Sequence, residues 1–273
     1  MSITITVVIP TRNRPLLLKR CLESIPTLIK EVVVVEDATK CSTLNDETLQ
    51  ATVLIHLLNG KQKGASFSRN KGAETASSDW ICFVDDDDQL CASYIERMHE
   101  RIKMFPEVEV WVPDRVGVKN RKLGLVPEKD LMFRNRVGGC SGLLIRKTIF
   151  NEIGGFDPDF PSMQDWDLWI RLQRRGALHY SGVSGVVYDL ASQGKITHDL
   201  AAKYQGLRRL YLKHRSYWTA QARRAHLRRL SVLRCLRSGQ CGLWPNWFKS
   251  GLRLEALYYT YHWRRFAQEA GRT

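Results

Sequence analysis

The chain has no uninterrupted apolar run near the roughly 20 residues that a membrane-crossing helix needs, so any contact with a bilayer is expected to be peripheral. Its first residues, Met1-Ser2-Ile3-Thr4, are not a basic stretch leading into a long apolar one, so no signal peptide is expected. It also lacks a CxxC pair. The seven cysteines (21, 41, 82, 91, 140, 235 and 241) are odd in number and scattered, which argues against a zinc site or a disulfide framework and for free thiols in a reducing cytosol. Acid is scarce in one region only. From Lys203 to the end there are 16 Lys and Arg against two acids, Glu255 and Glu269, so the whole net charge of +14 lies in the last quarter and the rest is neutral. A neutral body with a basic tail has two kinds of partner, and the anionic candidates for the tail are a membrane surface, nucleic acid or an acidic subunit.

What remains is a soluble globular composition, 44% hydrophobic and 26% charged, in 273 residues, enough for one large core or a core domain with an appendage. Ile3 to Ile9 reads as a strand stopped by Pro10. Pro15 opens a helix whose apolar residues Leu17, Cys21, Leu22 and Ile25 recur at helical spacing, with Pro26 closing it. Glu31 to Val35 and Thr52 to Leu58 read as further strands, and Ser66 to Thr75 as a helix. Trp80-Ile81-Cys82-Phe83-Val84 is a fourth strand, and it ends in four consecutive aspartates, Asp85 to Asp88. Strands alternating with helices predict an α/β fold with a mostly parallel sheet, whose ligand crevice lies at the carboxyl ends of the strands.

The segments after those strands are Pro10-Thr11-Arg12-Asn13-Arg14, Glu36-Asp37 and Asp85 to Asp88, all polar or charged, and they should meet at one edge. Adjacent carboxylates repel one another. They persist in water, or where a hard divalent ion gathers their oxygens and bridges them to substrate phosphates. Further along, Asp165 in Gln164-Asp165-Trp166-Asp167-Leu168 falls at a helix start, where a carboxylate serves either as a cap or as an accessible base. Beyond Ala201, Leu207, Leu210, Tyr211 and Trp218 share a helical face while Arg and Lys fill much of the rest. With Trp244, Trp247, Tyr258, Tyr259, Tyr261 and Trp263 later on, two readings stand: interfacial helices on anionic lipid, or a helical subdomain packed on the body.

In order and spacing, Val7-Val8-Ile9-Pro10-Thr11-Arg12-Asn13-Arg14, Val34-Val35-Glu36-Asp37, Gly64 to Gly72, Phe83 to Asp88 and Gln164 to Leu168 resemble the family 2 glycosyltransferases of GT-A fold. The resemblance covers about residues 3 to 200. It implies a GT-A domain over 1–202, a basic helical extension over 203–273, and an inverting, nucleotide-sugar-dependent sugar transferase of the bacterial polysaccharide-assembly type, peripheral on the inner face of the cytoplasmic membrane. Residue by residue it implies that Pro10, Thr11 and Arg12 frame the nucleoside, that Asp37 accepts from the base, most often uracil, and that Arg69 lies against the donor. Arg14, Gly64 and Asp86 are further donor-side positions. Asp85 and Asp87 match the family's DxD pair, Asp87 on a divalent metal (Mn or Mg) and Asp85 toward the ribose. Asp165 matches the general base, and His198 is a candidate third metal ligand. The expected partners are a UDP-sugar, a glycan or lipid-linked acceptor and an anionic membrane surface. Gln164 departs from the family's usual Glu-Asp pair and removes one acceptor-side carboxylate. Two other readings stand beside it. A sugar-phosphate nucleotidyltransferase would want a glycine-rich loop after the first strand, and Pro10 to Pro15 holds no glycine. A nucleic-acid-binding protein would use arginines such as Arg223-Arg224 and Arg228-Arg229 on phosphates, but no standard binding signature is present.

Overall fold

The computed structural model describes residues 3–37, 53–58, 63–116, 121–189 and 199–238, with the strand at 53–58 described by its backbone. The amino-terminal half runs β1 (Ile5–Thr11), α1 (Pro15–Glu23), β2 (Glu31–Glu36), β3 (Val53–Leu58), α2 (Ala65–Thr75) and β4 (Trp80–Phe83). These four strands lie parallel in the order β3-β2-β1-β4, with Val8 level with Val33 on one side and Phe83 on the other. Every residue of β1, β2 and β4 is buried, as parallel strands covered on both faces must be.

Pro10 does not stop the first strand but lies inside it, level with Val35 of β2. Neighbouring residues of a strand turn their peptide groups to opposite sides. Thr11 O accepts from Asp37 N–H on the β2 side (2.8 Å), and Val8 O accepts from Val84 N–H on the β4 side (3.0 Å). Pro10 therefore faces the β4 side, and the β1–β4 ladder ends just before it, at the Val84 N–H to Val8 O bond.

The second half runs β5 (Gln89–Leu90), α3 (Tyr94–Met104), β6 (Val110–Arg115), β7 (Gly124–Leu125), α4 (Lys129–Met132), β8 (Leu143–Arg146), α5 (Lys147–Glu152), α6 (Gln164–Arg174), β9 (Leu178–Val187), α7 (Leu200–Lys213) and α8 (Ala220–Ser238). The sheet continues from β4 as β8-β6-β9-β5, with β7 on β9, and here its directions are mixed: β8 is antiparallel to both β4 and β6, while β6 and β9 are parallel. The reversal matters for the crevice. An antiparallel partner begins where its neighbour ends, so the loop entering β8 is delivered to the tip of β4, and Gly142 N–H donates to Phe83 O at 2.7 Å.

Two apolar layers cover the sheet. Val7, Ile9, Leu18, Leu22, Met98 and Trp111 form one, and Val8, Val33, Ile81, Phe83, Phe156 and Trp169 belong to the other. Leu207 and Leu210 of α7 and Trp218, Ala222 and Leu233 of the following segment join this second layer, and Trp218 meets Trp166 of α6 edge-on at 6.4 Å between ring centroids. The helices up to residue 238 thus pack their apolar side on the body, while Arg223, Arg224, Arg228, Arg234 and Arg237 stay exposed. The later aromatics, Trp244 through Trp263, lie outside the described residues.

A polar contact locks α6 to α7. Asp167 is fully buried, and its Oδ1 accepts from His214 Nε2 (2.8 Å) and faces Lys213 Nζ (2.9 Å), while Arg171 Nε donates to Oδ2 (2.9 Å). Burial alone would push this carboxyl up, but the hydrogen bond from His214 and the charges of Arg171 and Lys213 reverse that and hold it at about 2. Its folded value lies below the ordinary ~4 of an aspartate, so its contribution is complete above that ordinary value and is lost as pH falls toward 2. Asp167→Asn is expected to destabilise by about 3 kcal/mol at pH 7, the scale for breaking a buried pair. In urea titrations the gap between wild type and variant should shrink between pH 5 and pH 2, and a gap independent of pH would refute this account of the contact.

Candidate functional site

The carboxyl ends of β1, β2 and β4 open on a cleft of about 810 Å³. After β1 the chain turns sharply at Asn13, whose φ of 53° lies in the left-handed region that Asn tolerates, and whose N–H donates to Glu36 Oε1 (2.9 Å). That turn leaves Arg12 exposed at the rim and brings Arg14 back over the aspartates. After β2, both oxygens of Asp37 accept backbone N–H groups, from Lys63 and Gly64, at 2.8 Å each. Asp37 thereby fixes the entry to α2, where Gly64 takes a φ of 89° that a side chain would disfavour.

The four aspartates are dispersed rather than stacked. Asp85 Oδ1 receives Arg69 Nη2 at 2.5 Å. Asp86 Oδ2 accepts from Thr11 Oγ1 at 2.7 Å, and its Oδ1 accepts from Arg14 Nη1 at 3.2 Å. Arg14 Nη1 also lies 3.9 Å from Asp87 Oδ2. Asp88 accepts from Ser141 Oγ at 2.6 Å and from the Asp189 N–H at 3.3 Å, while the Asp85 N–H donates to Ser141 Oγ at 3.0 Å. Burial disfavours the charged carboxylates of Asp86 and Asp88. Asp86 rises to about 6 against the pull of Thr11 and Arg14, and Asp88 rises to about 7, helped by the neighbouring charge of Asp85. Burial also disfavours the Arg69 guanidinium, but Asp85 outweighs it and the pKa of Arg69 is raised.

Asp165 enters from the other wall as the second residue of α6. The residue before the helix, Met163, has a φ of 67°, a left-handed conformation that costs a non-glycine residue about 1 kcal/mol. Asp165 Oδ1 accepts from the Trp166 N–H (2.8 Å) and Oδ2 from Asn135 Nδ2 (3.1 Å). The packed surroundings raise its pKa to about 6, opposed by the Trp166 N–H and Arg69. A carboxylate so tuned is poised to take a proton near neutral pH.

Pro10, Thr11, Arg12, Arg14, Asp37, Gly64, Arg69, Asp85, Asp86, Asp87 and Asp165 all line this one cleft, as does Gln164. His198 lies outside the described residues. Two of the cleft residues also brace the scaffold: Arg69 pairs with Asp85, and both oxygens of Asp37 hold the α2 loop. Arg115, Asn135, Gly138, Gly139, Tyr188 and Lys203 line the cleft too, and the sequence assigned none of them a role. No local motif marks them, because each arrives through pairing of β6, β8 and β9 or through the packing of α7.

The donor set at the strand tip is all carboxylate oxygen, the chemistry hard divalent ions take. Among the described residues no three His, Cys, Asp or Glu side chains converge as a ready-made cage. A magnesium or manganese site using one or two carboxylates plus substrate phosphate oxygens and water fits such a tip, and Asp87 would hold the ion.

A family model described as glycosyl transferase family 2 matches residues 6–155, a span from β1 through α5 that ends short of Asp165. An uncharacterized glycosyltransferase of Bacillus subtilis is 32% identical over 227 residues, 77% of this chain and 84% of the relative. One of Haemophilus influenzae is 26% identical over 62% of this chain and 61% of its own length. The pre-mycofactocin glycosyltransferase of Mycobacterium tuberculosis is 26% identical over 69% of this chain and 43% of its own. The chain therefore spans less than two thirds of the last two. Among solved structures, Staphylococcus aureus TarS 1–349 in complex with UDP-GlcNAc shares the fold, with a TM-score of 0.57 over 77% of this chain and 66% of that one at 18% identity. The match over more than half of its length, together with the identity to the Bacillus protein, establishes that this chain belongs to glycosyl transferase family 2.

Proposed function

We propose that the chain transfers a sugar, with inversion, from a UDP-sugar to a hydroxyl of a glycan or lipid-linked acceptor in the assembly of a bacterial surface polysaccharide. The observation that carries this reading is the convergence of two chemistries on one cleft. Carboxylates at the tip of β4 line one side of it, and Asp165, with its pKa raised to about 6, lines it from the start of α6. The cleft volume suits a nucleotide sugar. The TarS structure that shares the fold was solved with UDP-GlcNAc, which supports a UDP-sugar as the donor class.

In this reading the acceptor hydroxyl hydrogen-bonds to Asp165. As its oxygen attacks the anomeric carbon from the face opposite the leaving group, Asp165 takes the proton. The bond from that carbon to the diphosphate breaks, and the diphosphate departs with the electron pair. Asn135 orients Asp165 through Oδ2, and the Trp166 N–H fixes Oδ1. Thr11 and Arg14 hold the aspartate turn in place, and Arg69 aims Asp85. A divalent ion on Asp87 would supply compensation for the charge that develops on the leaving diphosphate.

Membrane association is part of the same proposal. No described helix is long and apolar enough to cross a bilayer, but α8 exposes Arg223, Arg224, Arg228 and Arg234, and a basic residue near an anionic surface contributes about 1 kcal/mol.

Four outcomes are expected. Asp165→Asn should leave UDP binding unchanged and lower transfer by ~10²-fold or more. With wild type, kcat/KM should rise with pH through about 6 as Asp165 ionises, and unchanged turnover in the variant would remove Asp165 from the mechanism. In thermal-shift assays UDP should raise the melting point more with Mn²⁺ than without, and Asp87→Asn should abolish the difference; a shift indifferent to metal would refute the ion's role. Replacing Arg223, Arg224, Arg228 and Arg234 together by Gln should reduce flotation with phosphatidylglycerol vesicles, and unreduced flotation would refute docking through α8.

A further inference from the structure

Arg14 and Arg69 are committed to aspartates, but two other cations of the cleft have no anionic partner among the described residues. Arg115 ends β6 with its guanidinium over the ring of Tyr188, 4.2 Å from the centroid. Its Nε is buried and makes no hydrogen bond, and among the described residues no carboxylate meets it. Gly138 lies so close beneath it that any Cβ there would collide with the guanidinium. Lys203 sits on α7, one turn before Gly206, on the face that packs against the Ser162 backbone so tightly that Gly206 has no room for a Cβ. The Lys203 ammonium also has no hydrogen-bonding or charged partner among the described residues. Burial lowers its pKa, with no nearby anion acting against it.

A cation taken partly out of water without a counter-charge is costly. Two of them in one cleft mark where a ligand's negative charge belongs. Their place decides which ligand. Arg115 adjoins Gly138, whose carbonyl accepts from Asn135 Nδ2 (3.0 Å), and the same amide donates to Asp165 (3.1 Å). Lys203 reaches the cleft beside the 162–164 segment that leads into Asp165. Both therefore flank the carboxylate that faces the acceptor hydroxyl, whereas the donor side has its own groups at Thr11, Asp37 and Asp85. A guanidinium held over a tyrosine ring keeps N–H groups to offer a phosphate, and an ammonium adds a compact point charge.

We propose that Arg115 and Lys203 form a subsite for a phosphate group carried by the acceptor, placing a hydroxyl near that phosphate against Asp165. The inference deepens the sugar-transfer reading and rests on it for the word acceptor. The acceptor class is then a phosphorylated glycan or a phospholipid-linked one, sources that share the phosphate.

The experiment is calorimetric titration of the full chain with glucose 6-phosphate and with geranyl phosphate, each against its neutral counterpart, glucose or geraniol, with and without saturating UDP and Mn²⁺. Phosphate-dependent binding is expected with UDP present, weakened about tenfold or more in Arg115→Gln/Lys203→Gln, while UDP affinity changes less than about threefold. The tighter of the two phosphates identifies a polymer-borne or a lipid-borne source. Phosphate binding that survives in the double variant overturns the subsite, and so does a fall in UDP affinity as large as the fall in phosphate affinity, which would assign the cations to the donor. The single variant Lys203→Met, which keeps the stem on α7, must show the same selective loss, and equal phosphate affinity there overturns the role of Lys203 independently of Arg115. If wild type binds no UDP, the transferase reading fails, yet loss of phosphate binding in the variants without UDP still upholds the subsite.

Discussion

Four neighbouring carboxylates share the end of one strand only if counter-groups meet them there, and the architecture around β4 is arranged by that requirement. Arg69 comes from α2, Thr11 and Arg14 from the end of β1 and the start of α1, Ser141 from the loop before β8, and a backbone N–H from beyond β9. Each counter-group ties a different element to the same turn, so the repulsion that would splay the aspartates instead draws the strand ends together. Asp85 keeps the larger share of exposed surface, with 30% of its side chain accessible, while Asp86 and Asp88 spend their oxygens on the scaffold. The turn is the keystone of the crevice.

The opposite wall has a different support. Asp165 stands at the first turn of α6, and two residues later Asp167 anchors the same helix to His214 and Lys213 of the α7 end. Trp166, between them, donates its Nε1–H to Leu131 O (2.8 Å) and packs on Trp218. The basic helices that follow the sheet domain are thus wedged behind the candidate base. Their apolar faces serve the site's rigidity, and their arginines are left over for an outer surface.

The amino-terminal half was legible because its signals are local. Short β-branched runs, Pro15 at a helix start and the polar segments after each strand give β1, α1, β2, α2 and β4 to within a residue or two, and the family motifs lie in those segments. Pro10 misled for a physical reason: whether a proline ends a strand depends on which neighbour its missing N–H would have faced, and that is a property of the sheet. The antiparallel insertion of β8 was not readable, since four residues, Leu143–Arg146, carry no mark of direction. Asn135, Ser141, Arg115 and Lys203 were missed with it. Ser141 meets Asp88 across 53 positions of sequence, and Asn135 meets Asp165 across 30, so neither pairing has a spacing that a motif would display.

Gly72 shows how far from the cleft its geometry is decided. On α2 it lies directly over Val8 of β1, where even one methyl group would overlap the valine. Arg69 is one turn earlier on the same helix, and its reach to Asp85 is set by how closely that helix rides on the strand. An alanine at 72 would act as a shim, lifting the helix and withdrawing the guanidinium from the aspartate, so that a residue remote from any ligand controls the electrostatics of the crevice.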